Sequence, residues 1–223
     1  MTYDLIMVVA SKDKELIRMT QAAIDSCLAD GAEVNVIIVE TYQATKYNGV
    51  NETIVYTGTF NYNHCLNLGI QKAKNDIVIL ANNDIFFEKG WSSIGYTMIK
   101  YNYLSASALS TDPRQRRFKR GNYAYEGYMI GYHLTGWCIF AQRELFKIIG
   151  NLDEITNFWY SDDIYAEQLK HKKIIHALIC NVTVLHYGSR TLVKQNRGRK
   201  VELTYAEAKK LLRYNPTDIQ KEL

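Results

Sequence analysis

Apolar stretches and helical patterns alternate through the first part of the chain. Four stretches are apolar without strict alternation, which is typical of strands buried on both faces: Asp4–Ala10, Val34–Glu40, Glu52–Gly58 and Asp76–Ala81. Apolar residues spaced three and four apart from Leu16 to Leu28 predict an amphipathic helix after the first strand. Asn61 is a suitable N-cap for a second helix, which carries Leu66, Ile70 and Ala73 on one face.

The second half of the chain has weaker periodicity and many aromatic residues. Its predicted elements are a strand at Leu134–Phe140, a helix at Arg143–Ile149 closed by Gly150, a helix from Asp162 to about His171, and a polar helix at Leu203–Arg213. Ser161 would cap the helix that begins at Asp162. A last strand, within Val182–Thr191, is predicted to end at His186.

Buried strands separated by amphipathic helices predict an α/β fold, with a mixed, mainly parallel central sheet flanked by helices in a single domain. In such sheets, ligands bind beyond the carboxyl ends of the strands. The polar residues at those ends are Ser11, Lys12, Glu40 and the run Asn82–Asp84. No GxGxxG or GxxxxGK[ST] motif follows a strand, which argues against a dinucleotide-dependent dehydrogenase and a P-loop NTPase.

Composition narrows the class of protein only slightly. With 223 residues, 47% of them hydrophobic, the chain is long enough to bury a full core in one domain. The net charge of +4 is too small to imply a nucleic-acid partner by itself. Much of the excess lies in two basic runs, Arg114–Arg120 and Lys194–Lys200.

The cysteines and the apolar segments indicate in which cellular compartment the protein is expected. Cys27, Cys65, Cys138 and Cys180 form no CxxC pair and lie in apolar surroundings, so we expect reduced thiols in the core. The N-terminal apolar run of Leu5–Val9 is too short for the core of a signal peptide. No stretch reaches the roughly 18 apolar residues of a spanning helix. We therefore expect a protein made in the cytoplasm.

Three polar features lie at ends of predicted elements: Asn82–Asp84, Asp162–Asp163 and His186. Mg²⁺ and Mn²⁺ take carboxylate and phosphate oxygens, and Mn²⁺ also accepts imidazole. Each feature alone is ordinary, because Asn and Asp favour turns and acids favour the first turn of a helix. Together, an acid and an imidazole on two strand ends predict a site for a hard cation whose coordination a diphosphate completes.

The order of these features resembles that of the family 2 glycosyltransferases with a GT-A fold. The resemblance covers about residues 4–191 and rests on the strand-closing "NND", on "TGWCIF…GNLDE…FWYSDDIYAEQL" and on the late "LHYGS". Its most specific stretch is "FNYNHCLNLGIQKAKNDIVILANNDIFF". The resemblance implies a nucleotide-sugar-binding half at about 1–110, an acceptor and catalytic half at about 111–200, and a C-terminal helix and tail at 201–223.

The resemblance also assigns roles to individual residues. Asp84 corresponds to the second, metal-binding Asp of the DxD motif, and His186 to a late ligand of the metal or diphosphate. The positions implied for the nucleotide sugar are Ser11, Lys12, Glu40, Asn67, Asn82, Asn83, Gly136 and Trp137, with Arg190 and Lys194 closing over the diphosphate. Asp153 and Glu154 match the "DE" that follows the Gly136–Trp137 segment. The cofactor implied is Mn²⁺ or Mg²⁺.

Asp162 and Asp163 correspond to the acidic pair that supplies the catalytic base. The resemblance implies an inverting transfer, in which a carboxylate takes the proton from an acceptor hydroxyl as it attacks the anomeric carbon. We expect Asp163 to be the base, because the second member of the family's pair usually has this role. Its place in the first turn of a helix would keep it ionised.

The sequence departs from the family's pattern at three places. Asn82 replaces the first acid of DxD, the first strand ends in "VVASKDK", and the pair is DD where the family has ED. A nucleotidyltransferase on the same sheet stays open as an alternative, although it would usually show a Gly-rich basic loop after the first strand. A non-catalytic binding protein that retains the fold is the other alternative.

The acceptor is left open by the sequence. Seventeen tyrosines are present, and an aromatic cluster lies in the half expected to face the acceptor: Tyr123, Tyr125, Tyr128, Tyr132, Trp137, Trp159 and Tyr160. Aromatic faces stack on sugars and on bases alike. A glycan or lipid-linked sugar is the ordinary acceptor for a hexosyl- or pentosyltransferase of this kind. A hydroxymethylated base of phage DNA, bound through Arg114–Arg120 and flipped out of its duplex, is the other possibility. The oligomeric state is not predicted.

Overall fold

The structure is a computed structural model that describes residues 1–188. Its strands are β1 (Thr2–Val9), β2 (Glu33–Glu40), β3 (Glu52–Val55), β4 (Ile77–Ala81), β5 (Ile85–Phe87), β6 (Ser105–Leu109), β7 (Ala124–Glu126), β8 (Cys138–Gln142) and β9 (His176–His186). Its helices are α1 (Lys14–Leu28), α2 (Tyr62–Ile70), α3 (Ser93–Lys100), α4 (Glu144–Ile149) and α5 (Ser161–His171), with a 3-10 helix at Pro113–Arg117. The polar helix predicted at Leu203–Arg213 lies outside the described residues.

The strands of the described region form one mixed sheet in the order β3-β2-β1-β4-β8-β6-β9-β5, with β7 also paired to β9. Strands β1 to β4 are parallel to one another, as the continuous apolar runs predict. Strand β8 runs antiparallel to both β4 and β6, and β6 runs parallel to β9. The predicted fold class, a mixed, mainly parallel sheet in a single domain, is confirmed.

Both faces of the sheet are covered, which explains why β1 is apolar without alternation. Leu5 and Met7 lie on one face with Ala23 and Ile24 of α1, whereas Ile6 lies on the other face with Leu66 of α2. Gly69 lets α2 approach β1 closely, since a Cβ at that position would lie 2.4 Å from Cγ2 of Ile6. This close packing fixes the start of α2 beside the carboxyl ends of the strands.

Three predicted boundaries in the second half were wrong. The strand expected at Leu134–Phe140 begins at Cys138, because the chain first passes close to helix α5 at Gly136. Helix α5 begins at Ser161, and its N-cap is Tyr160 with φ of 64°, so Ser161 is not the cap. The strand predicted within Val182–Thr191 begins earlier, at His176, but it ends at His186 as expected.

The four cysteines are buried and free, as predicted. Within residues 1–188, no helix combines the length and apolar character needed to cross a membrane.

Candidate active site at the carboxyl edge of the sheet

A pocket of about 580 Å³ opens where β1 and β4 end. One side is lined by the ends of the first two strands, with Val8, Val9, Ala10, Lys12 and Thr41. The lining also includes the polar residues Asn82, Asn83, Asp84, Asp162 and His186, together with Gly136 and Trp137. The structure thus brings the three features at element ends into one cavity, although they are spread over residues 82–186 of the chain.

Asp84 and His186 lie side by side because β5 pairs with β9. The register places Ile85 opposite His186, and the backbone N–H of Tyr187 donates to the carbonyl of Asp84 at 2.9 Å. Nε2 of His186 is 3.3 Å from Oδ1 of Asp84. The imidazole stacks on Trp137, with ring centroids 4.8 Å apart and planes 4° from parallel. Both side chains are therefore held in fixed orientations.

Asp84 and His186 fit a metal site in which the protein supplies two ligands and the substrate supplies others. Nε2 of His186 is buried, and its contact with Asp84 lacks the geometry of a hydrogen bond, so its lone pair or proton has no hydrogen-bond partner in the described chain. A buried nitrogen beside a buried carboxylate oxygen is a suitable pair of ligands for Mn²⁺. Residues 1–188 contain no cluster of three or more such ligands. Substrate phosphates and water are the ligands that usually complete such a site.

Asn82 is oriented by a buried tyrosine. The Tyr62 hydroxyl donates to Oδ1 of Asn82 at 2.9 Å, and burial, together with the nearby carboxylates of Asp84 and Asp162, raises the pKa of Tyr62 well above its usual value. The Tyr62 hydroxyl therefore keeps its proton and donates it in this hydrogen bond. Asn82 is one of the residues that line the pocket. The neighbouring amide of Asn83 donates to Thr20 on α1 at 2.9 Å, which holds this loop against the helix.

Asp162 and Asp163 open α5, but they lie differently with respect to the pocket. Asp162 lines the pocket, whereas Asp163 is not among the lining residues. Burial raises the pKa of Asp162. Burial, followed by the charge of Asp162, raises the pKa of Asp163 to about 7. The expectation that the helix dipole would keep Asp163 ionised was wrong, because desolvation and a like charge outweigh the dipole.

The raised pKa of Asp163 predicts a cost in stability at neutral pH. A carboxyl with a higher pKa in the folded state opposes folding once it ionises, so stability falls as the pH rises from about 4 to about 7. Since each pKa unit corresponds to about 1.4 kcal/mol and solvent screens a half-buried group, we expect Asp163→Asn to stabilise the fold by about 1–2 kcal/mol at pH 8. Thermal melts at pH 5 and pH 8 test this. An equal effect at both pH values would contradict it.

Gly136 makes room for the Asp162 carboxylate. A Cβ at position 136 would lie 2.6 Å from Oδ2 and 2.7 Å from Cβ of Asp162, so any side chain there must displace the acid. If the Asp162 carboxylate reacts with a substrate, Gly136→Ala is expected to lower the turnover rate about 10- to 100-fold, because misplacing a reacting group by about 1 Å costs this much. In an Asp162→Asn background the same change should have little further effect. Equal effects in both backgrounds would contradict the prediction.

A buried polar network underlies α5. Nδ1 and Nε2 of His176 lie 2.8 Å and 3.1 Å from the hydroxyls of Ser105 and Ser107. The Ser105 hydroxyl is also 2.7 Å from the hydroxyl of Tyr165, three residues after Asp162 on the same helix. Burial lowers the pKa of His176 to about 3, so this imidazole is neutral. The network fixes α5 to the sheet and, with it, the direction of its first turn.

Ser11 and Glu40 do not reach the pocket. The Ser11 hydroxyl donates to one oxygen of Glu40, and the backbone N–H groups of Ser11 and Tyr42 donate to the other at 3.1 Å and 2.9 Å. Glu40 is fully buried. Its carboxylate joins the loops after β1 and β2, so the placement does not support the expected contact with the nucleotide. Of the residues predicted in these loops, Lys12 is the one that lines the pocket.

Asn67 is also a structural residue. Its side-chain amide donates to the carbonyl of Leu152 and to Oε1 of Glu154, and its oxygen accepts from the N–H of Leu152 at 2.9 Å. Glu154 further contacts Nδ1 of His64 at 3.1 Å. These contacts fasten α2 to the segment before α5. The predicted contact of Asn67 with the nucleotide sugar is not supported by its placement.

The basic run Arg114–Arg120 is largely engaged within the protein. Arg114 donates to both oxygens of Asp112 at 2.9 Å and 2.8 Å, and its guanidinium carbon lies 5.9 Å from the Trp137 ring centroid. Arg120 pairs with Glu88 at 2.8 Å. Arg114 is the member of this run that lies beside the pocket. Arg190 and Lys194 lie outside the described residues, so their predicted role stays a prediction.

Several aromatic residues of the pocket were missed by sequence reasoning. Of the predicted aromatic cluster, Trp137, Trp159 and Tyr160 line the cavity. Phe60, Tyr62 and Phe158 also line it and were not predicted. Phe60 and Tyr62 flank Asn61, which was recognised only as a helix cap. No local pattern distinguishes them, because it is the tertiary approach of α2 to the segment before α5 that exposes them to the cavity.

Comparison with known proteins supports the fold. No protein-family model matches the chain, and a search of curated proteins found no match. Among solved structures, GalNAc-T7 with UDP, GalNAc and Mn²⁺ superposes with a TM-score of 0.61 at 11% identity, covering 83% of this chain and 43% of that one. TarS from S. aureus, residues 1–349, gives a TM-score of 0.59 at 11% identity, covering 83% and 60%.

A second structure of S. aureus TarS gives a TM-score of 0.57 at 14% identity, covering 83% of this chain and 35% of that one. The chain thus spans less than two thirds of each of these proteins. GalNAc-T7 and TarS are GT-A glycosyltransferases. The described residues therefore have the GT-A fold that the sequence resemblance implied.

Proposed function

We propose that this protein is a metal-dependent glycosyltransferase that moves a sugar from a nucleoside-diphosphate sugar to an acceptor hydroxyl with inversion. The observation that carries the proposal is the meeting of Asp84, His186 and Asp162 in one pocket at the carboxyl edge of a GT-A sheet. A pocket of about 580 Å³ is in the range of cavities that bind small molecules and cofactors.

The donor would lie between the strand ends and the Asp84–His186 pair. Lys12 and Thr41 line the side formed by β1 and β2, which in this proposal receives the nucleoside. Asn82 also lines the pocket, where its amide N–H groups can donate to oxygens of the sugar or the diphosphate. Gly136 and Trp137 form the opposite side, next to the Asp162 carboxylate.

Asp84 and His186 would hold Mn²⁺ or Mg²⁺ against the diphosphate. When bound, such an ion stabilises the charge that builds up on the leaving nucleoside diphosphate. Two protein ligands leave room for phosphate oxygens, so binding of the ion and of the donor would reinforce each other. Arg114 adds a positive charge beside Trp137.

Asp162 is the proposed base, in place of the Asp163 expected from the sequence. It lines the pocket and borders Gly136, whereas Asp163 does not line the pocket. Burial raises the pKa of the Asp162 carboxyl, which strengthens it as a base once it is ionised. A carboxylate on the acceptor side takes the hydroxyl proton while the oxygen attacks the anomeric carbon.

Nucleotide release from a panel of UDP, GDP, CDP and TDP sugars, with and without Mn²⁺, tests the proposal. We expect Mn²⁺-dependent release of a nucleoside diphosphate from at least one donor. We also expect the rate to fall as the pH is lowered through the raised pKa values of the acidic pair. Release of pyrophosphate from a nucleoside triphosphate would instead identify a nucleotidyltransferase. Binding of a nucleotide without turnover would indicate a non-catalytic protein that retains the fold.

A further inference from the structure

One side of the pocket is built from aromatic rings that are not needed for the donor. We call Phe60, Phe158, Trp159 and Tyr160 the aromatic wall. Ring centroids of Phe60 and Phe158 lie 6.3 Å apart, and those of Phe158 and Trp159 lie 5.3 Å apart at a steep angle. Phe60 is 41% exposed and Tyr160 is 37% exposed, so ring surface is open to a ligand. All four residues line the same cavity as Asp162.

The aromatic wall is assembled by hydrogen bonds between two segments. The Asn61 amide donates to the carbonyls of Glu154 and Thr156 at 2.8 Å and 2.9 Å, and the N–H of Tyr62 donates to the carbonyl of Asn157 at 2.7 Å. These bonds fix the residue after Phe60 to the segment that carries the other three rings. The wall is therefore formed before any ligand binds, which lowers the entropy lost on binding.

Tyr160 is held in a strained conformation two residues before Asp162. Its φ of 64° and ψ of 13° place a tyrosine in the left-handed region, where residues other than glycine are uncommon. Strain of this kind tends to be retained where it serves a site. Here it starts α5 so that the Tyr160 ring and the Asp162 carboxylate both line the cavity.

The charges around the aromatic wall favour an uncharged ligand. Residues 151–165 contain four carboxylates, those of Asp153, Glu154, Asp162 and Asp163, and no lysine or arginine. Residues 56–62 contain no charged side chain. Among residues 1–188, the cations at the cavity lie elsewhere, with Lys12 beside Tyr42 and Arg114 beside Trp137. Within this part of the chain, a polyanion such as DNA would meet repulsion at the wall and find no partner there for its phosphates.

We propose that the aromatic wall binds an uncharged saccharide as the acceptor and places one of its hydroxyls beside Asp162. A sugar ring has faces of C–H groups, whose slight positive charge suits the negative face of an aromatic ring. Its hydroxyl groups donate hydrogen bonds, which carboxylates accept. The aromatic rings thus suit the C–H faces of a saccharide, and the nearby carboxylates suit its hydroxyl groups. This inference rests on the proposed function, because Asp162 is assigned there as the base.

Two measurements separate this inference from the proposed function. Saturation-transfer NMR with neutral hexaoses of the malto, cello and chito series reports saccharide binding, with and without UDP and Mn²⁺. Nucleotide release without acceptor reports donor chemistry. A single-stranded oligonucleotide carrying hydroxymethylcytosine serves as the anionic competitor. Saccharide binding without donor turnover would overturn the proposed function alone, whereas donor turnover without saccharide binding would overturn this inference alone.

The variants Phe60→Ala and Trp159→Ala test the location. Because each variant removes one stacking face of the wall, we expect the acceptor KM to rise by about tenfold in each. The rate of donor hydrolysis without acceptor is measured beside it, so that a change in acceptor binding is distinguished from a change in donor chemistry. Tyr96→Ala on α3, with a ring that is 62% exposed and does not line the pocket, is the matched control. An unchanged acceptor KM in both wall variants, or turnover stimulated only by the oligonucleotide, would overturn the inference.

Discussion

The substitution Asp162→Asn is expected to lower the rate of sugar transfer about 10²–10⁴-fold, the usual contribution of a general base. The amide keeps the size of the carboxylate but cannot accept the proton of the acceptor hydroxyl. The KM for the donor should change little, because the donor is held by the strand ends and the Asp84–His186 pair. Steady-state kinetics with a fixed acceptor measure both quantities.

Asp163→Asn is the matched control for this prediction. The two residues are adjacent in the first turn of α5, so both substitutions remove one negative charge from the same place in the sequence. We expect Asp163→Asn to retain the transfer rate to within about tenfold, since Asp163 does not line the pocket. If Asp163→Asn abolishes transfer and Asp162→Asn does not, the base is Asp163, as the sequence resemblance implied.

The sheet was predictable where packing on both faces imposes a pattern on the chain. β1, β2 and β4 are mainly apolar without alternation because helices cover both faces, and the residues after β1 and β4 line the pocket. β6 was missed because its sequence, SASAL, has small residues of low strand propensity, although all five positions are buried. β5 and β7 have three residues each, which is too short for a periodic signal.

The site was predictable at positions whose residue type carries the chemistry. Asp84, Asp162 and His186 were singled out because acids and an imidazole at element ends are uncommon enough to be informative, and the structure places them in one pocket. The placement of Ser11, Glu40 and Asn67 does not support their predicted roles, since a polar residue near a strand end also serves to join loops. Only tertiary contacts separate the two roles, and here the partners of Glu40 and Asn67 are protein groups.

The sequence also does not show which of Asp162 and Asp163 lines the pocket. Adjacent residues on a helix point about 100° apart, so one of them can enter a cavity while the other does not. Which one does so depends on where α5 begins, and the left-handed Tyr160 sets that start. Tyrosine rarely adopts the left-handed conformation, so the sequence does not predict it at Tyr160.

Asp84→Asn is expected to remove the stimulation by Mn²⁺ and to lower the transfer rate about 10²–10³-fold, the usual cost of losing one electrostatic contact to the developing charge. Asp84 is paired with His186, at 3.3 Å, and the amide that replaces it is a weaker ligand without charge. Manganese binding in the presence of UDP, followed by electron paramagnetic resonance, checks the loss independently of turnover. Thermal melts check that the variant is folded.

Asn82→Asp is the informative counterpart, because it supplies the carboxylate that the DxD motif would have. The Tyr62 hydroxyl, which donates to Oδ1 of Asn82, can donate equally to a carboxylate oxygen, so the fold should tolerate the change. We expect half-maximal activation at a lower Mn²⁺ concentration than in the natural protein, since a further charged ligand tightens cation binding. If Mn²⁺ instead activates Asp84→Asn as well as it does the natural protein, the ion is not held by Asp84. The metal would then have to be placed elsewhere in the pocket.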